Sequence, residues 1–561
     1  MVLDTSKDKF SRILGLHACG HDANIAVVID GNVTEIVEFE RLYQEKRYRI
    51  YPDSERFDRA LQWLFESYEL RTDFDAVAVQ FNQTHDELYD IAIEKLRRYI
   101  GRVPCISFAH HQCHAAAAYF TSPFTRSAIL SIDGRGGDGC TVSFVANGND
   151  ISYLQKWPFS LGMAYRALGQ IIGGIHAHDL ETSGKTMGLT AYGNVIPGWK
   201  RAIHTFITSY RPKRDQLASW EPAVADGCFF LDGFGPVVGA DTFGGPETKH
   251  AQNFAATFQE CWSEIVVGIV SETIKQSQCN NLCITGGAAL NAITNRQILQ
   301  IAGVRQVHFI PNPNDAGLAM GAALQCFYGN QEAAYGGRMD CLTAYLGLPV
   351  LDSASLPLLA SERGAKWLTN PASSIAALLA QGLVVGIIQG RSEIGPRALG
   401  NRSILCDPRD SRMKAILNNR IKGREWYRPF APVARVEEQT TYFDVTVPVP
   451  YMSVIGHVRA EWAAKIPAVT HVDGTARLQT VSEDSNKFLW ELIGCFKELT
   501  GIGVLLNTSF NGKAKPMITT MSDALKILDE TELDAVYSEG WLFEKKFAMT
   551  RDIAVAMRHW P

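Results

Sequence analysis

Short apolar stretches separated by glycine-containing turns recur along the first third of the chain and predict β-strands. Asp30-Gly31 separates two of these stretches and is typical of a hairpin turn. Another stretch ends in a carboxylate, Asp133, followed by a glycine. The strands predicted in this region cover residues 12–16, 23–29, 32–39, 75–79, 127–132 and 140–146.

The later part of the chain alternates predicted strands and helices. A strand, a glycine loop and a helix follow one another at 282–291, and a helix at 373–380 is predicted to begin after Pro371. Buried strands are predicted at 383–388 and from residue 503. Mixed α/β is therefore the fold class, and a shift toward Pro, Ser and Leu near residue 345 predicts two domains, 1–345 and 355–561.

Length and composition describe an ordinary globular enzyme. The chain has 561 residues, of which 46% are hydrophobic and 20% charged, and this length is too great for one hydrophobic core. Its net charge of −5 argues against nucleic-acid binding. No apolar run is long enough for a membrane span, and the N-terminus has no signal-peptide pattern. The twelve cysteines form no CxxC pair. We therefore expect reduced thiols and a cytoplasmic location.

Residues 391–428 form a cationic segment in this acidic chain. It contains ten Arg or Lys residues against four Asp or Glu, a local charge of +6. Guanidinium groups bind phosphate oxygens in pairs, and the interleaved apolar residues favour a pocket wall over a solvated surface. The segment therefore predicts a site for a small, multiply charged anion.

Two histidines and two carboxylates form a candidate metal site. His110 and His114 are four residues apart in a stretch predicted to be helical, so both would lie on one face of the helix. Asp133 ends a predicted strand and Asp315 begins a predicted helix. This set suits Fe(II), Mn(II) or Zn(II) better than Ca(II), although a purely structural role for the histidines remains an alternative.

Other short motifs indicate a nucleotide and a base. Gly286-Gly287, with Asn291 on the following helix, is typical of a loop that binds phosphate or ribose, although many strand-to-helix turns have this pattern. His21, between the first two strands, is a candidate general base, with His17 as its competitor.

Taken together, these motifs resemble the O-carbamoyltransferase family typified by NodU, CmcH and TobZ. The resemblance covers nearly the whole chain, from His21-Asp22 onward. Its most specific parts are the runs GRSEIGPRALGNRSIL, IKGREWYRPFAPV, HVDGTARLQTV and NTSFNG.

The resemblance implies a fold and a reaction. Residues 1–345 would form a TsaD-like domain with the actin/sugar-kinase (duplicated RNase H-like) fold, and residues 355–561 a YrdC-like twisted α/β domain. The YrdC-like domain would make carbamoyl adenylate from carbamoyl phosphate and ATP with Mg(II). The TsaD-like domain, with Fe(II) or another divalent metal, would pass the carbamoyl group to a small-molecule hydroxyl, on a natural product such as an antibiotic or on an oligosaccharide. A homodimer is compatible with this interpretation.

The same resemblance implies roles for single residues. His21 matches the general base, and Arg397 is expected to be catalytic as well as substrate-binding. Carbamoyl phosphate would be bound by Arg397, Lys422, Arg428, Arg477 and Ser509. The metal ligands would be His110, His114, Asp133 and Asp315. The nucleotide would contact Gly134, Gly286, Gly287 and Asn291.

One departure and several alternatives stay open. Lys515 stands where the family tends to carry an acid, so it is left out of the predicted site. Acceptor specificity is expected from loops at 175–180 or 220–239. The alternative functions are tRNA threonylcarbamoylation, protein-cysteine carbamoylation as in hydrogenase maturation, and a non-catalytic ATP-binding regulator. The acidic chain argues against the first and the lack of CxxC pairs against the second, while the regulator has no use for an arginine pocket.

Overall fold

The computed structural model describes residues 10–18, 20–50, 54–81, 86–175, 181–211, 229–237, 239, 241–331 and 342–545. The strands and helices predicted from the apolar pattern are confirmed, with bounds shifted by a few residues at most. Nine cysteines in these ranges are unpaired, and most of them are buried. Among the described helices, none is both long and apolar enough to cross a lipid bilayer.

The first sheet contains five strands in the order β3-β2-β1-β4-β5. Its first three strands are antiparallel neighbours, whereas β4 and β5 run parallel to β1. The strands are β1 Arg12–His17, β2 Asn24–Ile29, β3 Asn32–Glu38, β4 Ala76–Phe81 and β5 Cys105–Ala109.

The second sheet repeats the topology of the first. Its order is β12-β11-β6-β7-β8, with an antiparallel β6-β7-β8 meander and two parallel strands on the other side of β6. A separate hairpin pairs β9 with β10. These strands are β6 Arg126–Gly136, β7 Gly139–Asn147, β8 Asp150–Trp157, β9 Phe229–Leu231, β10 Gly235–Val237, β11 Asn281–Thr285 and β12 Gln306–Phe309. The matching strand orders show a duplicated α/β unit.

Two helices join the duplicated units. Helix α4 (His110–Phe120) follows the first sheet but packs on β6 and β11, and α10 (Leu318–Gly329) follows the second sheet but packs on β1 and β2. The two helices also contact each other closely, since a Cβ at Gly321 would lie 1.9 Å from the Cys113 carbonyl oxygen. The beginnings of both helices are thereby brought side by side.

Several of the remaining helices begin with a side-chain cap, such as Thr248 before α8 (Lys249–Ser277). The remaining helices are α1 Phe39–Leu42, α2 Ser54–Gln62, α3 Asp86–Ile100, α5 Leu161–Ile172, α6 Thr182–Leu189, α7 Pro197–Ser209, α8 Lys249–Ser277, α9 Ala292–Ile298, α11 Leu356–Arg363, α12 Pro371–Ala380, α13 Met413–Ala415, α14 Gln439–Tyr442, α15 Ala460–Ala463, α16 Lys487–Thr500 and α17 Met521–Glu530.

The C-terminal part is built on a mixed sheet of nine strands, ordered β13-β21-β20-β14-β15-β19-β16-β18-β17. Apolar side chains on both of its faces form two cores with α12, α16 and α17. Its strands are β13 Lys366–Trp367, β14 Val385–Ile388, β15 Arg402–Cys406, β16 Ala431–Arg435, β17 Val454–His457, β18 Thr475–Val481, β19 Val504–Ser509, β20 Ala535–Ser538 and β21 Trp541–Glu544.

Candidate active site

The four predicted metal ligands come together where α4 and α10 begin. His110 and His114 lie on the first turns of α4, Asp315 immediately precedes α10, and Asp133 lies on β6 between them. One ligand atom from each residue lies within 4.8 Å of the ligand atoms of the other three. The paired helices therefore assemble a cluster from residues that are up to 205 positions apart.

The geometry of this cluster fits a divalent cation. His110 Nε2 lies 2.9 Å from Asp133 Oδ2, and His114 Nε2 lies 3.5 Å from Asp315 Oδ1. Burial alone would lower the pKa of His114, but the nearby carboxylates of Asp133 and Asp315 raise it to about 9. His114 Nε2 is buried without a hydrogen-bond partner among the described residues. Two imidazoles and two carboxylates that converge in this way are a donor set for Fe(II), Mn(II) or Zn(II).

Neighbouring groups contact the predicted metal ligands but do not belong to the ligand set. The Gly287 N–H donates to Asp133 Oδ1 at 3.1 Å, which leaves Oδ2 facing His110. His111, between the two ligand histidines, instead contacts the Ser131 hydroxyl at 2.7 Å. Burial and the adjacent His110 lower the pKa of His111 to about 4, so it stays neutral.

His21 lies beside the cluster with one ring nitrogen held. Its Nδ1 is 2.9 Å from Asp22 Oδ2 and 3.7 Å from Asp315 Oδ2. Burial lowers the pKa of His21, and the charges of Asp22 and Asp315 overcome that effect and raise it. His17 is held at both ring nitrogens, by Gln80 and by the His21 carbonyl. Both histidines line the large cavity described below, and because both ring nitrogens of His17 are already engaged, His21 is better placed to exchange a proton with a bound molecule.

Five cations from the C-terminal part act electrostatically on one another along one wall of a large cavity, and this group is called the cation pocket. Burial, followed by the charge of Arg428, lowers the pKa of Arg397 to about 10. Burial also lowers the pKa of Arg477 well below its usual value, and the charges of Arg397, Arg428 and Arg424 add to this effect. The five residues are Arg397, Lys422, Arg424, Arg428 and Arg477.

Carboxylates do not balance this pocket. Within the described ranges, Arg428 is the member with an ion pair, to Glu425 at 3.6 Å, and Glu425 is shared with Lys185 of α6. Lys422 instead donates to neutral oxygens, namely Ser509 O and Oγ and Asn511 O and Oδ1. Several positive charges are thus held out of water without counter-charges, which is the electrostatic condition for binding a polyanion.

Other members of the cationic segment do not contribute to this pocket. Arg391 donates to the carbonyls of Thr34, Leu346 and Gly347, and Arg402 to those of Gln389 and Gly390. The expectation that the segment as a whole lines a pocket wall therefore holds only for Arg397 and for residues 422–428. Of the other cations, Arg409 pairs with Asp407, Arg412 with Asp410 and Arg420 with Glu532, whereas Lys414 donates to the Thr470 carbonyl.

The metal cluster and the cation pocket open into one cavity of about 1120 Å³. Its walls include His21, His110, Asp133 and Asp315 from the N-terminal part. The C-terminal part contributes the cation pocket and Ser509. A molecule formed at one site therefore has a continuous space in which to reach the other.

The predicted nucleotide residues lie at the N-terminal wall of this cavity. Gly134, Gly287 and Asn291 line it, whereas Gly286 packs against the Ile132 carbonyl. Asn291 also caps α9 by accepting the Thr294 N–H at 3.1 Å. Their role in nucleotide binding stays a prediction.

Lys515 lies within the described structure, whereas much of the predicted acceptor loops does not. Lys515 lines the cavity and donates to the Gln44 carbonyl at 3.0 Å, so it connects the C-terminal part with the N-terminal part. Residues 176–180, 220–228 and 238 of the acceptor loops lie outside the described residues.

Two residues of this site were missed by the sequence interpretation. Asp22 orients His21, and the motif His21-Asp22 was visible, but nothing in it shows which side chain faces the cavity. Arg424 stacks on Phe430, 4.2 Å from the ring centroid, and donates to Asn418 Oδ1 at 2.7 Å. Its position among the closely spaced Arg and Lys residues of 420–428 was the sequence feature that could have identified it.

Comparison with known proteins shows the family of this chain. The family models Carbamoyltransferase N-terminus and Carbamoyltransferase C-terminus match residues 73–324 and 376–545. Nodulation protein NolNO of Sinorhizobium fredii is 31% identical, with 95% of this chain and 80% of that protein covered. Nodulation protein NolO of Bradyrhizobium diazoefficiens is 33% identical, with 79% and 80% covered.

The chain therefore belongs to the carbamoyltransferase family. A further relative is 3'-hydroxymethylcephem-O-carbamoyltransferase of Streptomyces clavuligerus, 35% identical over 53% of this chain and 55% of that protein. Within its family the chain is an O-carbamoyltransferase.

Among solved structures, full-length HypF in its phosphate- and nucleotide-bound form is similar at 12% identity and a TM-score of 0.34, with 59% of this chain and 57% of that chain covered. At such a TM-score the fold assignment depends on the strand orders alone, which show a mixed α/β protein with a duplicated N-terminal unit.

Proposed function

We propose that the protein makes carbamoyl adenylate at the cation pocket and transfers its carbamoyl group to an acceptor hydroxyl at the metal cluster. Carbamoyl phosphate, ATP with Mg(II) and water would give carbamoyl adenylate, phosphate and pyrophosphate, and the acceptor would then displace AMP. The cavity shared by both sites is the observation that carries the proposal. It shelters a reactive mixed anhydride from bulk water between the two steps.

The cation pocket suits the first step. Carbamoyl phosphate and ATP both bring negative charge, and the unbalanced positive charges of Arg397, Lys422 and Arg477 would offset it most strongly in the transition state. Ser509, whose hydroxyl lies beside Lys422, can contact the same phosphate. The YrdC-like domain over 355–561 is part of this proposal, as is the TsaD-like domain over 1–345.

The N-terminal wall suits the second step. A divalent ion bound by His110, His114, Asp133 and Asp315, proposed to be Fe(II), would act as a Lewis acid toward the phosphate of the adenylate. His21 would accept the proton of the acceptor hydroxyl at Nε2, while Asp22 keeps Nδ1 in place. The acceptor is proposed to be a natural product or an oligosaccharide.

The test is an acceptor-free incubation of the protein with carbamoyl phosphate, Mg-ATP and Fe(II). We expect pyrophosphate and carbamoyl adenylate, and Arg397→Ala should reduce their rate of formation by about 10²–10³-fold. Arg412→Ala is the matched control, because Arg412 is exposed and pairs with Asp410 outside the cavity. Folded, Fe(II)-loaded protein that forms neither product would contradict the proposal.

His21→Asn separates the two steps. This variant should form pyrophosphate at the wild-type rate and fail to carbamoylate an acceptor found by screening sugars and natural-product alcohols. An equal loss of both steps would contradict the role assigned to His21.

A further inference from the structure

The turn that carries Arg397 lies between the cation pocket and the metal cluster. Gly395, at φ +80°, packs against the loop of the N-terminal part that precedes α10. The contact is so close that a Cβ on Gly395 would lie 2.2 Å from the Pro311 carbonyl oxygen. Pro311 is four residues before the predicted metal ligand Asp315. Arg397 follows two residues after Gly395 and lines the cavity.

Two buried side chains of the N-terminal part hold this turn. Glu38 Oε1 accepts the Gly395 N–H at 2.6 Å, and its Oε2 lies 2.6 Å from Arg41 Nε. Arg41 Nη2 donates to the Gly395 carbonyl at 2.5 Å, and Nη1 donates to the Glu393 carbonyl. Glu38 is 6% exposed and Arg41 is 3% exposed, so both are buried between the two parts of the chain.

The other side of the turn is held separately, by the C-terminal part. Gln479 donates to the Leu399 carbonyl at 2.8 Å, and Asn507 donates to the Ala398 carbonyl at 3.2 Å. The backbone before Arg397 is therefore held by one part of the protein and the backbone after it by the other. In the described structure, the direct side-chain grip on Gly395 comes from Glu38 and Arg41.

We propose that Glu38 and Arg41 are positioning residues that hold the backbone of residues 393–395, and thereby the guanidinium of Arg397, in register with the cation pocket. This inference depends on the proposed function of that pocket. It requires an arginine at position 41, because only the planar guanidinium reaches a carboxylate and two carbonyls at once. A lysine keeps the charge but presents a single ammonium group.

The variant that tests this is Arg41→Lys. We expect the Kd for carbamoyl phosphate, measured by calorimetry without ATP, to rise about tenfold because the anion contact of Arg397 is misplaced. The KM for carbamoyl phosphate in pyrophosphate release should rise by a similar factor, with kcat changing less than about threefold.

Arg391→Lys is the matched control. Arg391 also donates to three backbone carbonyls, but none of them belongs to residues 393–397. This variant should lose thermal stability to a comparable extent and keep the wild-type Kd. An equal weakening of carbamoyl phosphate binding in both variants would overturn the inference, because it would indicate a merely structural role.

Glu38→Gln provides a second measurement if Arg41→Lys does not fold. The amide keeps the size of the side chain and can still accept the Gly395 N–H, but it loses the ion pair that ionised Glu38 makes with Arg41. Measured at about pH 8, where Glu38 is ionised, the Kd should rise about three- to fivefold. A wild-type Kd in this variant would refute the inference. Wild-type protein that binds carbamoyl phosphate without releasing pyrophosphate would refute the proposed reaction instead, while the Kd comparison still decides the positioning role.

Discussion

Replacing Arg477 by Met should make the ligand-free protein more stable while removing its affinity for phosphate. Arg477 lies on β18, its Nε is buried without a hydrogen-bond partner among the described residues, and burial together with three neighbouring arginines lowers its pKa. A charge under such conditions costs folding free energy. Methionine fills a similar volume without that cost.

The expected gain in the free energy of unfolding is about 1–3 kcal/mol, within the range seen when buried ionic groups are replaced by apolar ones. For a cooperative unit of about 150–250 residues, each kcal/mol raises the Tm by about 2–4 °C. In wild-type protein, phosphate at a hundred times its Kd should add about 2.7 kcal/mol. Arg477→Met should lose most of that increment.

Differential scanning calorimetry with and without phosphate measures both effects. Arg420→Met is the control, because Arg420 is exposed and pairs with Glu532 at 3.0 Å, so neither the Tm nor its response to phosphate should change. A lower Tm for Arg477→Met in phosphate-free buffer would refute the reasoning. So would an undiminished rise of its Tm with phosphate.

Two further predictions concern the metal cluster and pH. Asp133→Asn should bind Fe(II) or Mn(II) at least about tenfold more weakly, because the substitution removes a charged ligand. Metal analysis after dialysis measures this loss. Asp138→Asn is the control and should retain the metal, because Asp138 accepts the His111 N–H and is not a predicted ligand. Burial raises the pKa of Glu38 from 4.5 to about 7, against the opposing charge of Arg41. The folded protein therefore holds a proton that the unfolded chain releases, so Glu38 should make stability fall as pH rises from about 4.5 to 7. Glu38→Gln should flatten that slope in urea titrations, and an unchanged slope would show that Glu38 is ionised throughout this range.

Local sequence was a good guide wherever the interaction partners are close along the chain. The helix that carries His110 and His114 was predicted correctly. A spacing of four residues is enough to place both histidines on one face of such a helix. The Asp30-Gly31 turn correctly predicted the pairing of β2 with β3. In both cases the determining contacts lie within a few residues.

Where partners are distant, the sequence was insufficient. Arg391 and Arg397 stand six residues apart in the same basic run, yet one binds backbone carbonyls and the other faces the cavity. The reason is that the partner of Arg391, the Thr34 carbonyl, belongs to another sheet. The duplication of the N-terminal unit was expected only from the family resemblance, because two units can share a strand order without sharing a recognisable sequence pattern.

The sequence by itself determined the secondary structure, the family and the set of residues predicted to bind an anion and a metal. Tertiary structure decided which of these residues lie together. The close packing of α4 on α10 brings Asp315 to His110 and His114, and the contacts of Glu38 and Arg41 with Gly395 join the turn that carries Arg397 to the N-terminal part. Charges are recognised by type along a chain, but their effect depends on distance and burial, which only the packed structure fixes.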